Sequence, residues 1–240
     1  TLEASVAWSH ELLTEHERIV LRRLATFPAA FTAAHAAEVV ADDRVSQESV
    51  RDLCARLVDR SLLTLEPDGD LRMLETVRAL AEDPPRDAGE VDALRQQHVA
   101  WVARWAAAIE PDFDGLDPAA AIQEVDRHLL DVRAALRHAD ERRDAAAMWS
   151  IVGSLATYFW YQGHLTEALD WLARAEVNDP GLDPALQVTG RTAAALLSTS
   201  VGVHEALVAA CETARDVARA AGDRAHEGRA LILLGAHQTF

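Results

Sequence analysis

Apolar residues recur at spacings of three and four along almost the whole chain, and this periodicity constrains the fold more than any other sequence feature. Thr14, followed by Glu17, predicts a helix start with a capping box, and Thr32 and Ser46 (or Ser49) predict the starts of two further helices. The pattern changes once, over residues 62–74, where two short apolar runs flank a Pro-Asp-Gly turn and predict a β-hairpin. The sequence therefore predicts a mainly α fold with one small hairpin.

Three helices followed by a hairpin is the element order of a winged helix, which we assign to residues 1–82. A Pro-rich linker is predicted at 83–89 and a connecting helical hairpin at 90–143. Gly190-Arg191 recurs as Gly228-Arg229, an offset of 38 residues that is typical of paired-helix repeats. Residues 144–240 are therefore predicted to form an α-α superhelical, tetratricopeptide-like array, truncated at its end, with helices over 144–162, 165–177, 184–201, 204–221 and 223–239.

The composition excludes several classes of function. All 23 basic residues are arginine, so chemistry that needs a lysine, such as a P-loop or a Schiff base, is absent. The net charge of −16 disfavours enzymes that act on polyanions. We expect no membrane-spanning helix and no signal peptide, and we interpret Cys54 and Cys211 as buried thiols of a reducing compartment. The chain is predicted to be cytoplasmic and non-enzymatic.

Several motifs of the first 110 residues resemble the region that follows the nucleotide-binding core in bacterial STAND-type signalling ATPases. These are the LuxR-type and SARP-type transcription regulators, which are related to the NB-ARC proteins. The motifs are Trp8-Ser9 with Leu12-Leu13, the segment 21–27, Phe31-Thr32, the segment 57–63, the segment 72–78 and the segment 98–101. The resemblance extends more loosely through the helical repeats to the end of the chain.

The resemblance implies a regulatory and protein-interaction fragment of a longer ATPase. ATP or ADP would bind in a missing N-terminal core, so no cofactor is expected in this fragment. The partners would be that nucleotide-binding domain, contacted through Glu75 and Arg78, and a protein bound by the repeats. NB-ARC relatives carry a phosphate-binding histidine at the position of Leu74, and a leucine side chain cannot make that hydrogen bond.

DNA binding by the winged helix is an alternative that the charge distribution disfavours. Residues 1–85 hold 9 arginines and 16 acidic residues, a net charge of −7. The third helix carries three arginines and three acidic residues, whereas nucleic-acid-binding surfaces are usually basic. Protein packing is therefore the preferred role of this domain, and binding of DNA through the fragment is not expected.

The aromatic run at residues 158–161 gives a second alternative, a small-molecule sensor. Four consecutive aromatic residues on one helix cannot all face the same way, so some are expected to be exposed. Tyr158, Trp160 and Tyr161 are the candidate partner-binding residues, and packing between helix pairs is the competing interpretation. The ten histidines show no metal-ligand spacing, and we interpret them as surface or hydrogen-bonded core residues.

Overall fold

The computed structural model describes residues 8–81, 88–115, 117–178, 184–199 and 204–238. A helical turn at 8–11 precedes twelve α-helices, one 3-10 helix and two strands among these residues. The elements are α1 (Glu15–Leu24), α2 (Ala33–Val40), α3 (Gln47–Asp59), β1 (Thr64–Leu65), β2 (Leu71–Arg72), α4 (Glu75–Ala81), α5 (Ala88–Ile109), a 3-10 helix (Glu110–Asp114), α6 (Ala119–Glu141), α7 (Ala145–Ser154), α8 (Ala156–Tyr161), α9 (Leu165–Asn178), α10 (Pro184–Ser198), α11 (His204–Ala221) and α12 (Arg224–Gln238). The prediction of a mainly α fold is confirmed.

The first three helices begin where the sequence predicts. The Thr14 side chain accepts a hydrogen bond from the Glu17 backbone N–H, and the Glu17 carboxylate accepts one from the Thr14 N–H at 2.7 Å, which completes the capping box. Thr32 and Ser46 cap α2 and α3 in the same way through their hydroxyl groups. These caps satisfy backbone donors that a helix leaves unpaired at its start.

The hairpin is present but shorter than predicted. Thr64 pairs with Arg72 and Leu65 pairs with Leu71 in an antiparallel register, and Phe31 forms an isolated bridge to Leu71. The preceding leucines are not in the strand because the backbone N–H of Leu62 donates to the Leu57 carbonyl at 2.9 Å, which closes the end of α3. Backbone donors used there are not available to the strand ladder.

The chain divides into two compact units, and their residue ranges differ from those of the predicted domains. The first consists of residues 1–101 and 127–135, and the second of residues 102–126 and 136–240. Helices α5 and α6 therefore contribute residues to both units. Most of the predicted linker, residues 83–87, lies outside the described residues, and residues 88 and 89 already belong to α5. The domain boundaries at 82, 89 and 143 stay a prediction.

A buried arginine connects three helices of the first unit. The Arg23 side chain is 3% exposed and donates to the Asp42 carboxylate at 2.6 Å, the Glu90 carboxylate at 3.0 Å and the Val40 carbonyl at 2.9 Å. Burying an unpaired guanidinium would be strongly destabilising, and these three acceptors offset that cost. They tie α1 to the end of α2 and to the start of α5.

The helices of the second unit pack on their neighbours in the chain. Helix α7 contacts α9 and α10, α10 contacts α11 and α12, and α11 contacts α12. Cys211 is a buried free thiol in this unit, and Cys54 is a buried free thiol in the first, as predicted. Burial raises the pKa of the Cys54 thiol to about 12, which keeps it protonated and unreactive at neutral pH.

The prediction of one helix over 144–162 is wrong, because Leu155 separates α7 from α8. The interruption follows Gly153-Ser154, and Gly/Ser pairs are common sites of helix kinks. A Cβ atom at Gly153 would lie 2.6 Å from Thr189 Cγ2, so the glycine also permits close contact with α10. The other repeat helices match their predicted ranges, except that α10 ends at Ser198 and residues 200–203 and 239 lie outside the described residues.

Gly190 packs directly against the indole ring of Trp149. A Cβ atom at this position would lie 1.5 Å from Trp149 Cε3. Relieving this clash would require the indole ring or a helix to move, which is energetically costly in a close-packed interface. On the same ring lies the Arg191 guanidinium, 5.3 Å from the ring centroid. The small residue is therefore required by the contact between α7 and α10.

We predict that Gly190→Ala lowers the free energy of unfolding by about 1–3 kcal/mol, because the added methyl group overpacks this contact. Gly228→Ala is the matched control, since a Cβ atom there meets no atom of the described residues within 4 Å. It should raise stability by up to about 1 kcal/mol, because alanine is the better helix former. Urea unfolding followed by circular dichroism measures both, and equal midpoints for the two variants would contradict this packing.

Candidate functional site

Helix α4 places the two predicted interdomain residues in different environments. The Arg78 side chain is 15% exposed, whereas that of Glu75 is 89% exposed, and 3.5 Å separates Arg78 Nε from Glu75 Oε2. Arg78 also donates to the backbone carbonyls of Ala25 at 2.5 Å and Phe27 at 2.7 Å. Arg78 thus acts within the first unit, where it satisfies carbonyls left unpaired at the end of α1. Glu75 remains open to a partner.

The exposed face of α3 carries both signs of charge. Arg60 Nε lies 3.4 Å from Glu17 Oε1, and this ion pair engages Arg60 within the first unit. The exposed charged residues along the rest of the helix are Glu48, Arg51, Asp52, Arg56 and Asp59. Three of these five are acidic, so the helix does not present the basic stripe that duplex DNA attracts.

The aromatic run divides into a buried half and an exposed half. Tyr158 and Phe159 are fully buried, and the Tyr158 hydroxyl donates to Asp126 Oδ1 at 2.7 Å. Trp160 is 38% exposed and Tyr161 is 52% exposed. The expectation that some of the run is exposed is confirmed. Tyr158 is not accessible to a partner, whereas the other two candidate residues are.

Trp160 and Tyr161 form a small aromatic surface on α8. Their rings meet edge to face with centroids 5.2 Å apart, and the Trp160 indole N–H donates to the Thr199 hydroxyl at 3.1 Å. This contact fixes one ring, so the surface is partly pre-organised. Exposed aromatic residues of this kind often contribute most of the binding energy at protein interfaces.

A buried cluster of one carboxylate and two imidazoles was missed by the sequence analysis. Asp131 is fully buried, and its two oxygens lie 3.1 Å from His98 Nε2 and 3.2 Å from His128 Nδ1. The Trp101 ring lies 5.5 Å from the His98 ring and 5.7 Å from the His128 ring. The interpretation of these two histidines as hydrogen-bonded core residues is confirmed. The spacing of three residues between His128 and Asp131 on one helix is the signal that could have indicated this pair, whereas no local pattern indicated His98.

The Asp131 carboxylate is held in its ionised form by the two histidines. Burial by itself would raise its pKa, but the hydrogen bonds from His128 and His98 outweigh burial, so the pKa lies below the ordinary value. Among the described residues, no group of three or more histidine, cysteine or acidic side chains is arranged to hold a metal ion.

We predict that Asp131→Asn lowers the free energy of unfolding by about 1–3 kcal/mol at pH 7, because the buried imidazoles lose their carboxylate partner. An aspartate whose pKa is lower in the folded state than in the unfolded state stabilises the folded protein at pH values above its unfolded-state pKa. This stabilisation is lost as the pH falls through the folded-state pKa. The difference between wild type and variant should therefore shrink below about pH 4. Asp52→Asn, at an exposed position of α3 in the same unit, is the control and should change little. Chemical unfolding across a pH series would contradict the prediction if the difference grew on acidification.

The comparisons with known proteins give relatives but no family model or solved structure. The chain is 31% identical to proteins of Mycobacterium tuberculosis and Mycobacterium bovis whose names assign them provisionally as HTH-type transcriptional regulators. The aligned region covers 98% of this chain and 28% of each relative. An uncharacterized Mycobacterium tuberculosis protein is 37% identical over 99 residues, which are 39% of this chain and 25% of that protein. No family model matches, and no solved structure matches.

The similarity to proteins named as transcriptional regulators extends over nearly the whole chain. The chain spans only 28% of the length of these curated relatives. Among the described residues, no helix has the length and hydropathy that a membrane-spanning segment requires. Both compact units are thus similar to one region of much longer proteins that are named as transcriptional regulators.

Proposed function

We propose that this chain is the regulatory, protein-interaction part of a longer STAND-type signalling ATPase that controls transcription in the cytoplasm. The fragment is non-catalytic in this proposal, and ATP or ADP binds in a separate nucleotide-binding core. The names of the long relatives and the near-complete alignment support a role in transcription regulation. The residue pattern that resembles STAND-type regulators supports the finer assignment.

A winged helix over residues 1–82 fits the packing of the first unit. Helices α1, α2 and α3 contact one another, a two-stranded hairpin follows them, and α4 packs on α1. In this proposal the domain binds protein and not DNA, because the exposed face of α3 has mixed charge.

A tetratricopeptide-like array over residues 144–240 fits the second unit. Successive helices contact each other, and there are further contacts of α7 with α9 and α10 and of α10 with α8 and α12, as expected when helix pairs stack. Small residues stand at the closest contacts, as Gly153 does against Thr189 and Gly190 against Trp149. The partner of the array would contact the surface of Trp160 and Tyr161 on α8.

The observation that carries the proposal is the exposed Glu75 beside the half-buried Arg78. Arg78 fixes α4 on the end of α1, and the Glu75 carboxylate is held there at 89% exposure. An exposed carboxylate on a helix held in this way is accessible to an ion pair with another domain, and desolvation at the interface would strengthen that pair. We propose that Glu75 docks on the nucleotide-binding core in its inactive state and that a partner bound to the repeats shifts the equilibrium away from that state.

We predict that Glu75→Gln in the full-length protein raises basal ATP hydrolysis about tenfold, because a charge-assisted hydrogen bond that holds the inactive state is weakened. Glu141→Gln is the matched control, since Glu141 is 67% exposed and also pairs with a residue of its own helix, His138. It should leave the rate unchanged. Equal rates for wild type and both variants would contradict the docking role of Glu75.

DNA binding by this fragment is the second candidate, and the names of the relatives favour it. The account predicts that the 240-residue chain gives no saturable anisotropy change with labelled duplex DNA at low salt. Saturable binding that weakens steeply as the salt concentration is raised would indicate contacts with DNA phosphates. It would mean that this fragment binds DNA, in place of the proposed protein partner.

A further inference from the structure

The second unit contains a cavity of about 210 Å³ that the docking proposal does not use. Its apolar wall comes from Ala156, Ala193, Leu196, Ile232 and Leu233. Ser154, Thr157, Thr189 and Thr192 add hydroxyl groups to the lining. An apolar enclosure with a few polar groups is the usual composition of a small-molecule site.

The size of the cavity limits its ligand. A cavity of about 150 Å³ is enough to bind benzene, so this one has room for one aromatic ring or an equivalent alkyl body with a short substituent. Two of the hydroxyl-bearing lining residues are nine-tenths or more buried, Ser154 at 5% and Thr192 at 7% exposure. The Thr192 hydroxyl donates to the Val188 carbonyl at 2.9 Å, within its own helix.

The charged groups of the lining carry a net negative charge, because Glu110 and Asp114 outnumber Arg229. Arg229 donates to Glu110 Oε1 at 3.0 Å and also pairs with Asp114, so two carboxylates face one guanidinium. His226, also in the lining, lies with its Nδ1 atom 2.9 Å from Asp223 Oδ2. The hydrogen bond from the His226 backbone N–H holds the pKa of Asp223 below its ordinary value, and Asp223 itself is not part of the lining.

This net negative charge distinguishes between anionic and cationic ligands. An anionic ligand would meet two carboxylates and an arginine that already donates to both of them. A cationic ligand would meet carboxylate oxygens that still have free lone pairs, in a partly enclosed site where Coulomb attraction is stronger than in water. The charge therefore favours a cation beside the apolar wall.

We propose that this cavity binds a small organic ammonium compound, with an apolar body of about one ring in the cavity and its ammonium group on Glu110 and Asp114. Binding at this site would give the repeat region a chemical input besides a protein partner. The proposal stands independently of the nucleotide-binding core, because the cavity is lined by residues of this chain alone.

Isothermal titration calorimetry of the intact 240-residue chain tests the proposal with three probes of nearly equal size. Phenethylamine carries the ammonium group, 2-phenylethanol is the neutral analogue and 3-phenylpropionate is the anionic one. We expect phenethylamine to bind in the millimolar range or tighter, the alcohol to bind about tenfold more weakly, and the carboxylate to give no measurable heat. Equal affinity for amine and alcohol, or no binding of the amine, would overturn the proposal.

Glu110→Gln locates the binding. It should weaken phenethylamine about tenfold and leave the alcohol unchanged, because only the charge of one carboxylate is removed. Asp170→Asn is the matched control, since it removes the partner of an exposed ion pair with Arg174 outside the cavity lining. The same loss in both variants, or in neither, would overturn the assignment to this cavity. Failure here leaves the ATPase-docking test unaffected, since that test measures hydrolysis with Glu75 variants.

Discussion

The burial of one arginine is the constraint on which the first unit depends. Arg23 is almost entirely removed from water, and only the simultaneous presence of Asp42, Glu90 and the Val40 carbonyl makes that tolerable. The hydrogen bond from Arg23 holds the pKa of Asp42 well below its usual range, so the pair stays ionised at neutral pH. Because the acceptors come from the end of α2, the loop after it and the start of α5, the position of α1 follows from this interaction.

The fixed position of α1 determines what the unit can present to a partner. Arg78 donates hydrogen bonds to two backbone carbonyls just beyond the end of α1. These bonds hold α4, which carries the exposed Glu75, against the end of α1. Because Glu75 is almost fully exposed on a helix held against α1, its carboxylate is accessible to an interdomain contact. The chain thus combines an internal arginine network with an exposed acidic side chain, and its net charge of −16 is compatible with protein recognition more than with phosphate binding.

The sequence predicts those features that are decided within one helical turn. Thr14, Thr32 and Ser46 start helices because a side-chain oxygen and a backbone N–H three residues later are enough to form the cap. Asp131 was missed because one of its partners, His98, lies 33 residues away, and Tyr158 is buried by a contact with Asp126 that is 32 residues distant. Tertiary pairing of this kind leaves no periodic signal. Glu75 and Arg78 were found together by resemblance, but only their exposure separates their roles.

The central claim is that the chain docks on a nucleotide-binding core and distinguishes its nucleotide states. Its most direct test is the affinity of this chain for the separately produced N-terminal segment of the longer protein, measured by calorimetry with ADP and again with a non-hydrolysable ATP analogue. The account predicts binding that is about tenfold or more tighter with ADP, since only a differential affinity can shift a two-state equilibrium. Equal affinity in both nucleotide states, or no binding in either, would contradict it.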